Sequence, residues 1–269
     1  MTDLMTPGEV WSGEVWLVGA GPGDPALLTR KAEALLKSAD IVFYDALVGP
    51  GVLDLIPAHV ERISVGKRSG RHSKAQEHIN DLLVRAALDG KRVVRLKGGD
   101  PSIFGRSAEE MGALAAHGIS CRICPGITTA SAAAASAKVS LSLRGMARRV
   151  QFVTAHARAG ETLDLDWQAL ADAGSTLAFY MGRAAAPEIS RQLISAGLAC
   201  DTPILLAANV SLPDEQLLHS RLDLLPLVAR SVAEDCPALI LIGEAVATQP
   251  FPSPQDMANH ALRSFLPQA

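Results

Sequence analysis

Three observations predict an α/β fold of two domains, built on mostly parallel sheets that enclose a cleft. Short apolar runs alternate with helical patterns along the whole chain, the signature of strands joined by crossover helices. Glycine-bearing turns follow one apolar run after another. The chain has 269 residues, 48% hydrophobic and 20% charged, enough to bury a substantial core as one large domain or two ordinary ones.

Taken in order, the patterns predict a strand over 14–19, a turn, and a helix over 25–38. Asp24 is its expected N-cap, and Pro25 occupies the first helical position, where a missing N–H costs nothing. Strands follow over 40–44 and 60–65. A helix over 73–89 opens with a capping box, Ser73 to Gln76, and stops at Gly90. A strand over 92–96, a helix over 107–117 closed by Gly118, and a strand over 119–124 complete the first series. Residues 130–137 hold six alanines in eight, a tightly packed helix or small-residue interface. The basic, aperiodic segment 138–149 marks the domain boundary, giving an N-terminal domain over 13–138 and a C-terminal one over 139–248. Strands over 150–155, 175–181, 204–208 and 238–243, with a helix over 184–196, form the second series. Residues 1–12 read as a loose leader and 249–269 as an appended tail.

Composition narrows the function classes. A net charge of −3 argues against a general nucleic-acid binder, whose affinity rests on neutralising phosphates. No stretch approaches the roughly 20 strongly apolar residues of a membrane span. The amino-terminal residues carry Asp3 and Glu9 and no basic region, unlike a secretory signal. Four cysteines are too few for a disulfide scaffold at this length. Cys121 and Cys124 have no second pair to complete a zinc site and read as structural. The expectation is a soluble cytoplasmic protein with no metal, no membrane and no nucleic-acid partner.

In open parallel sheets, ligands bind beyond the carboxyl ends of the strands. The unusual residues here follow the strand ends: 19–24, Asp45, Lys67, 98–100 and 125–129, then His156, Met181 with Gly182, Asn209 and Gly243. Were the strands parallel, these residues would share one rim of each domain, with a cleft between the rims. The loop Gly19-Ala20-Gly21-Pro22-Gly23-Asp24 lacks the third glycine of a dinucleotide fingerprint, and Asp24 would repel a pyrophosphate there. It reads as a dinucleotide site, a plain tight turn, or a glycine-rich approach to a non-phosphorylated ligand; the last accounts best for Asp24. In Arg95-Leu96-Lys97-Gly98-Gly99-Asp100-Pro101, two glycines let backbone pass close to a ligand, although a plain turn has the same letters.

Together, Val18 to Asp24 (VGAGPGD), Tyr44-Asp45, Val65 to Arg68 (VGKR), Arg95 to Pro101 (RLKGGDP), Phe104 to Arg106, Pro125 to Thr128 (PGIT) and Tyr180-Met181-Gly182 resemble the tetrapyrrole methylase family, in order and over roughly 13–247. GGDP and VGKR point to the branch that methylates uroporphyrinogen III. The resemblance implies two α/β domains around an S-adenosylmethionine site, a tetrapyrrole partner and a homodimer. It further implies that Pro22, Gly98, Gly99, Asp100, Ile103, Thr128, Thr129, Met181, Asn209 and Val210 line the donor site. Such backbone and apolar groups suit a sulfonium zwitterion with an adenine and no phosphate. The implied reaction is two successive C-methylations, giving precorrin-2 through precorrin-1, a product from which sirohaem, cobalamin and haem d1 all derive.

By the same resemblance Asp45 is the proton acceptor and Lys67 the proton donor, whereas spacing alone equally allows a turn cap and a solvated charge. Arg106, Glu109 and Arg144 fall on the substrate side, where arginine forks suit the carboxylates of the macrocycle. The basic run from Lys67 to His72 is either an electrostatic funnel or a solvated loop. Over 138–144 the chain reads Lys-Val-Ser-Leu-Ser-Leu-Arg where relatives usually carry Gly-Ile-Pro-Leu-Thr-His-Arg. Thr129 stands for a usual alanine, and Ala155-His156 for Gly-His. A later precorrin methyltransferase, an NAD-linked oxidoreductase and a catalytically inactive binding protein are the alternatives.

Overall fold

The structure, a computed structural model, describes residues 13–66, 72–155 and 163–247, with residues 72–75 described by backbone only. The leader 1–12, the tail 249–269, Lys67 and His156 lie outside the described residues. In the first half, strands β1 (Val15–Gly19), β2 (Ile41–Tyr44), β3 (Glu61–Ser64), β4 (Val93–Lys97) and β5 (Cys121–Cys124) form one sheet in the order β3-β2-β4-β1-β5. Every pairing in it is parallel, as predicted. The strands are nearly continuous apolar runs because helices cover both faces. Helices α1 (Arg30–Ser38) and α2 (Pro50–Leu53) pack with Trp16, Val18, Val42 and Leu96. Helices α3 (His72–Leu88) and α4 (Ser107–Ala115) cover the other face, with Leu17, Phe43 and Val93. The chain therefore steps outward over one face from β1 to β3 and returns over the other from β3 to β5. At such a reversal, loops from neighbouring strands splay apart and leave a crevice at the carboxyl rim.

The helix expected over 25–38 is divided. Asp24 does act as a cap, accepting from the Ala26 N–H at 2.8 Å, but only for a short 3-10 turn over Pro25–Leu27. Leu28 is extended, and Thr29 recaps the chain by accepting from Ala32 N at 3.1 Å, starting α1.

The second sheet contains β6 (Arg149–Thr154), β7 (Ser175–Tyr180), β8 (Pro203–Ala208), β9 (Gln216–Arg221) and β10 (Ala238–Ile242) in the order β6-β7-β10-β8-β9. Here the parallel expectation needs correction. β6 and β7 are parallel, but β10 runs antiparallel to both β7 and β8, and β9 antiparallel to β8. Gly243 consequently lies at the opposite rim: its N–H reaches Pro203 O, where β8 begins, at 3.0 Å. The alanine-rich helix α5 (Thr129–Ser136) packs on this sheet, with Ala130, Ala132 and Ala133 buried against Ala178, Leu205, Ala207 and Leu239. Helices α6 (Trp167–Leu170), α7 (Ala186–Ser195) and α8 (Leu225–Ser231) belong with the core on its other side. Among the described residues, no helix is long and apolar enough to cross a membrane.

Candidate active site

The floor of the site is made of glycine. Gly19 ends β1, Gly99 and Gly126 follow the ends of β4 and β5, and their backbones touch. A Cβ on Gly19 would meet Gly126 N at 2.5 Å and Gly99 O at 2.7 Å, and one on Gly126 would meet Gly99 O at 2.2 Å. Gly21 and Gly99 exchange backbone hydrogen bonds of 3.1 and 2.7 Å, locking the two glycine-rich loops together. Larger residues at Gly19 or Gly126 would force apart loops that must lie side by side. Gly99 differs: at φ +67° it takes a left-handed turn, and a Cβ there would meet only Thr129 Oγ1, at 3.8 Å. Open space lies over that position. Pro22 is half-buried between Gly21 and Gly23, and Ile103 half-buried beyond Asp100. The loop after β2 closes the far side, since a Cβ on Gly98 would strike Leu47 Cβ at 2.8 Å.

Asp100 fastens these loops. One carboxylate oxygen accepts from Ser102 N at 2.7 Å and the other from Gly126 N at 2.9 Å. Its side chain thus ties the loop after β4 to the loop after β5.

Beneath the rim lies a group of buried charges whose connection the sequence analysis did not foresee. Arg95 and Lys97 project from the same face of β4, and both meet Glu110, on the first turns of α4. Arg95 Nε lies 3.0 Å and Lys97 Nζ 2.8 Å from its carboxylate, which is fully buried. Gln76 of α3 donates to the same carboxylate at 3.4 Å. Arg95 NH2 continues to Asp45 Oδ2 at 3.7 Å, while Asp45 Oδ1 accepts from Leu47 N at 3.0 Å. Asp45 is therefore both a turn cap and the outermost member of a charged chain, with 24% of its side chain exposed. Burial, followed by the repulsion of Arg95, pulls the Lys97 ammonium below its usual value, against the opposing pull of Glu110. The sequence signal that could have found this group is a pair of charges at alternate positions of an apolar strand.

The second half supplies the opposing wall. Tyr180, at the end of β7, shares a 2.5 Å hydrogen bond with Thr128 Oγ1 and accepts from Ala130 N at 3.3 Å. Burial raises its phenol above the ordinary value. Its ring packs 5.1 Å from Phe104 and 5.8 Å from Phe152. Beyond β8, Ser211 Oγ accepts from Asp24 N at 2.9 Å, and Leu212 lies so near Gly23 that a Cβ there would come within 2.6 Å. The carboxyl ends of β1 and β8 are thus joined directly. Met181 follows Tyr180 and is exposed, as are Leu47 and Phe104. Of the six described non-glycine residues with positive φ, five (Phe104, Arg106, Met181, Asn209 and Ser211) sit on these loops. Strained backbone gathers where the fold is over-determined for function.

The remaining expected residues are placed unevenly. Thr129 opens α5 near Gly99. Asn209 reaches the rim, but its amide turns inward to Asp214 at 2.7 Å, and Val210 packs into the core against α5. Arg106 grips Glu109 through two contacts of 2.7 and 2.5 Å, which hold the Glu109 carboxyl below its usual range. Arg144 is exposed in the segment joining the halves and makes no side-chain hydrogen bond or ion pair among the described residues. Cys121 and Cys124 are free; burial pushes the Cys121 thiol up to about 12, consistent with an inert residue. No cluster suited to a metal occurs among the described residues.

The family model for Tetrapyrrole (Corrin/Porphyrin) Methylases matches residues 14–226. A uroporphyrinogen-III C-methyltransferase of Paracoccus denitrificans is 48% identical over 89% of this chain and 84% of its own. Siroheme synthase 1 of Yersinia enterocolitica is 52% identical over 87% of this chain but 49% of its own, so the chain spans about half the length of that relative. Among solved structures, the uroporphyrin-III C-methyltransferase of Thermus thermophilus, complexed with S-adenosylhomocysteine, superposes with a TM-score of 0.74. It is 38% identical, over 87% of this chain and 93% of that one.

Proposed function

The chain belongs to the tetrapyrrole (corrin/porphyrin) methylases, and from this premise we propose that it is an S-adenosylmethionine-dependent C-methyltransferase of uroporphyrinogen III. The observation that carries the reading is a glycine floor facing an aromatic and thioether wall, joined through Asp24–Ser211 and Thr128–Tyr180. Bare backbone beside Leu47, Phe104 and Met181 suits a ligand with an adenine, an apolar sulfonium arm and no phosphate. The residues fit that donor. In the proposal Pro22, Gly98, Gly99, Asp100, Ile103, Thr128, Thr129, Met181 and the turn at Asn209 and Val210 hold it.

When bound, S-adenosylmethionine supplies a methyl group already activated on sulfur, so no protein nucleophile is required. The chain's own contribution is alignment, worth up to roughly 7–11 kcal/mol for ideal positioning of two reactants, together with proton management. A pyrrole carbon that gains a methyl group leaves the macrocycle with a proton to lose. The Asp45 carboxylate, at the outer end of the charged chain, is the proposed acceptor of that proton and Lys67 the proposed donor. Arg106 and Arg144 receive substrate carboxylates, and Glu109, bound to the Arg106 fork at 2.7 and 2.5 Å, orients that guanidinium on the substrate side. The full reading comprises two methylations, to precorrin-2 through precorrin-1, by a cytoplasmic homodimer.

The test is anaerobic incubation of the chain with uroporphyrinogen III and S-adenosylmethionine, followed by mass spectrometry. Products with one and then two added methyl groups support the reading; unaltered uroporphyrinogen III overturns it.

A further inference from the structure

We propose that Arg95 is a positioning residue for the reaction, aiming the Asp45 carboxylate into the cleft from a fixed point supplied by Glu110. The inference rests on the proposal that Asp45 accepts the proton, and deepens it. Asp45 follows a short edge-proximal strand, and its own loop offers it one restraint, the Leu47 N–H on Oδ1. The second oxygen, Oδ2, faces Arg95.

Arg95 itself is held on every side. Its Nε is bound to Glu110 at 3.0 Å, its NH1 donates to Leu96 O at 2.9 Å, and its NH2 is directed at Asp45 Oδ2, 3.7 Å away. The side chain is 5% exposed and Glu110 is fully buried, so screening by water is weak at the inner end of the chain. Glu110 is shared with Lys97 and approached by Gln76, so β4, α3 and α4 converge on one carboxylate. Two buried cations face one buried anion, and Asp45 is the further carboxylate within ion-pair reach of Arg95. The outer carboxylate is thereby held, charged and pointed, at the mouth of the cleft. A guanidinium performs this better than an ammonium because its planar fork meets two carboxylates at once.

The experiment is a double-mutant cycle in steady-state methylation, with donor affinity measured separately by titration with S-adenosylhomocysteine. Arg95→Gln is expected to lower kcat at least about tenfold, a fraction of what a positioned general base supplies. KM for uroporphyrinogen III and the Kd for S-adenosylhomocysteine should stay within about threefold of the parent. In an Asp45→Asn background the same substitution should change kcat by less than about twofold, because a residue acting through Asp45 has nothing left to act on. Arg95→Lys, which keeps a cation beside Glu110 but lacks the fork, provides the same cycle should Arg95→Gln fail to fold, and the same non-additivity is expected. Additive losses, donor affinity falling in step with kcat, or an unchanged kcat in the Arg95 variants defeat the proposal alone. An inactive parent chain, or an Asp45→Asn variant as fast as the parent, defeats the catalytic reading of Asp45 along with it.

Discussion

Asp100 and Arg106 are close in sequence and do different work. The Asp100 carboxylate accepts from the Ser102 and Gly126 N–H groups, and removing it leaves two backbone donors without their acceptor. Asp100→Ala should lower stability by about 1–3 kcal/mol in denaturant titrations and weaken S-adenosylhomocysteine binding, with Asp100→Asn milder because one acceptor remains. Arg106→Ala is expected to raise KM for the tetrapyrrole severalfold while donor affinity holds; loss of donor binding alone would contradict the division of the cleft. The position of Asp100 was legible in the motif, but its task was not, since a carboxylate that ties two loops and one that meets a ligand carry the same letter. Glu110 was legible only in part. Beside Glu109 in a helical first turn it reads as a surface acid, and only the alternating charges of β4 hint that it has buried partners.

Helix ends show what local pattern alone can specify. Helices α3, α4 and α7 close with paired bonds of the Schellman type and a left-handed glycine, at Gly90, Gly118 and Gly197, all anticipated or easily read as stops. Helix α5 closes the same way, with Val139 N on Ala134 O and Lys138 N on Ala135 O, yet the left-handed residue is Lys138 at φ 56°. Glycine takes that conformation without a Cβ penalty, and Lys138→Gly should stabilise the chain by about 1 kcal/mol in thermal or denaturant melts. At the amino ends of β2 and β4, Asp40 accepts from the backbone and the guanidinium of Arg92, whose side-chain hydrogen bond holds the Asp40 carboxyl below its ordinary value of 3.8. The folded-state value lies under the unfolded one, so the tie contributes above that pH and is lost on acidification through the depressed value. Asp40→Asn should therefore lower Tm at neutral pH, and its deficit should shrink in acid. Strand direction was the weakest point of the sequence reading. β10 is a plain apolar run whichever way it travels, and β9 (Gln216–Arg221) lacks the β-branched residues that announce a strand.

Across the whole molecule, the first sheet is parallel and set by crossover helices, whereas the second is mixed, and both present loops to a common space. The contacts that bring them together include Asp24 with Ser211, Gly23 with Leu212, Thr128 and Phe104 with Tyr180, and the packing of α5 on the second sheet. Thr128 and Tyr180 belonged to motifs but Ser211 and Leu212 did not, so the meeting of the halves was legible only in part from the residues that make it. Enlarging Gly23 should separate the rims, because its Cβ would collide with Leu212 and its φ of +157° suits few other residues. The most direct measurement is a crystal structure of the chain with S-adenosylhomocysteine. The ligand is expected between Gly98, Gly99 and Thr128 on one side and Met181 on the other, touching both halves at once; a molecule bound to one half alone, away from the Gly99 loop, would contradict the shared chamber.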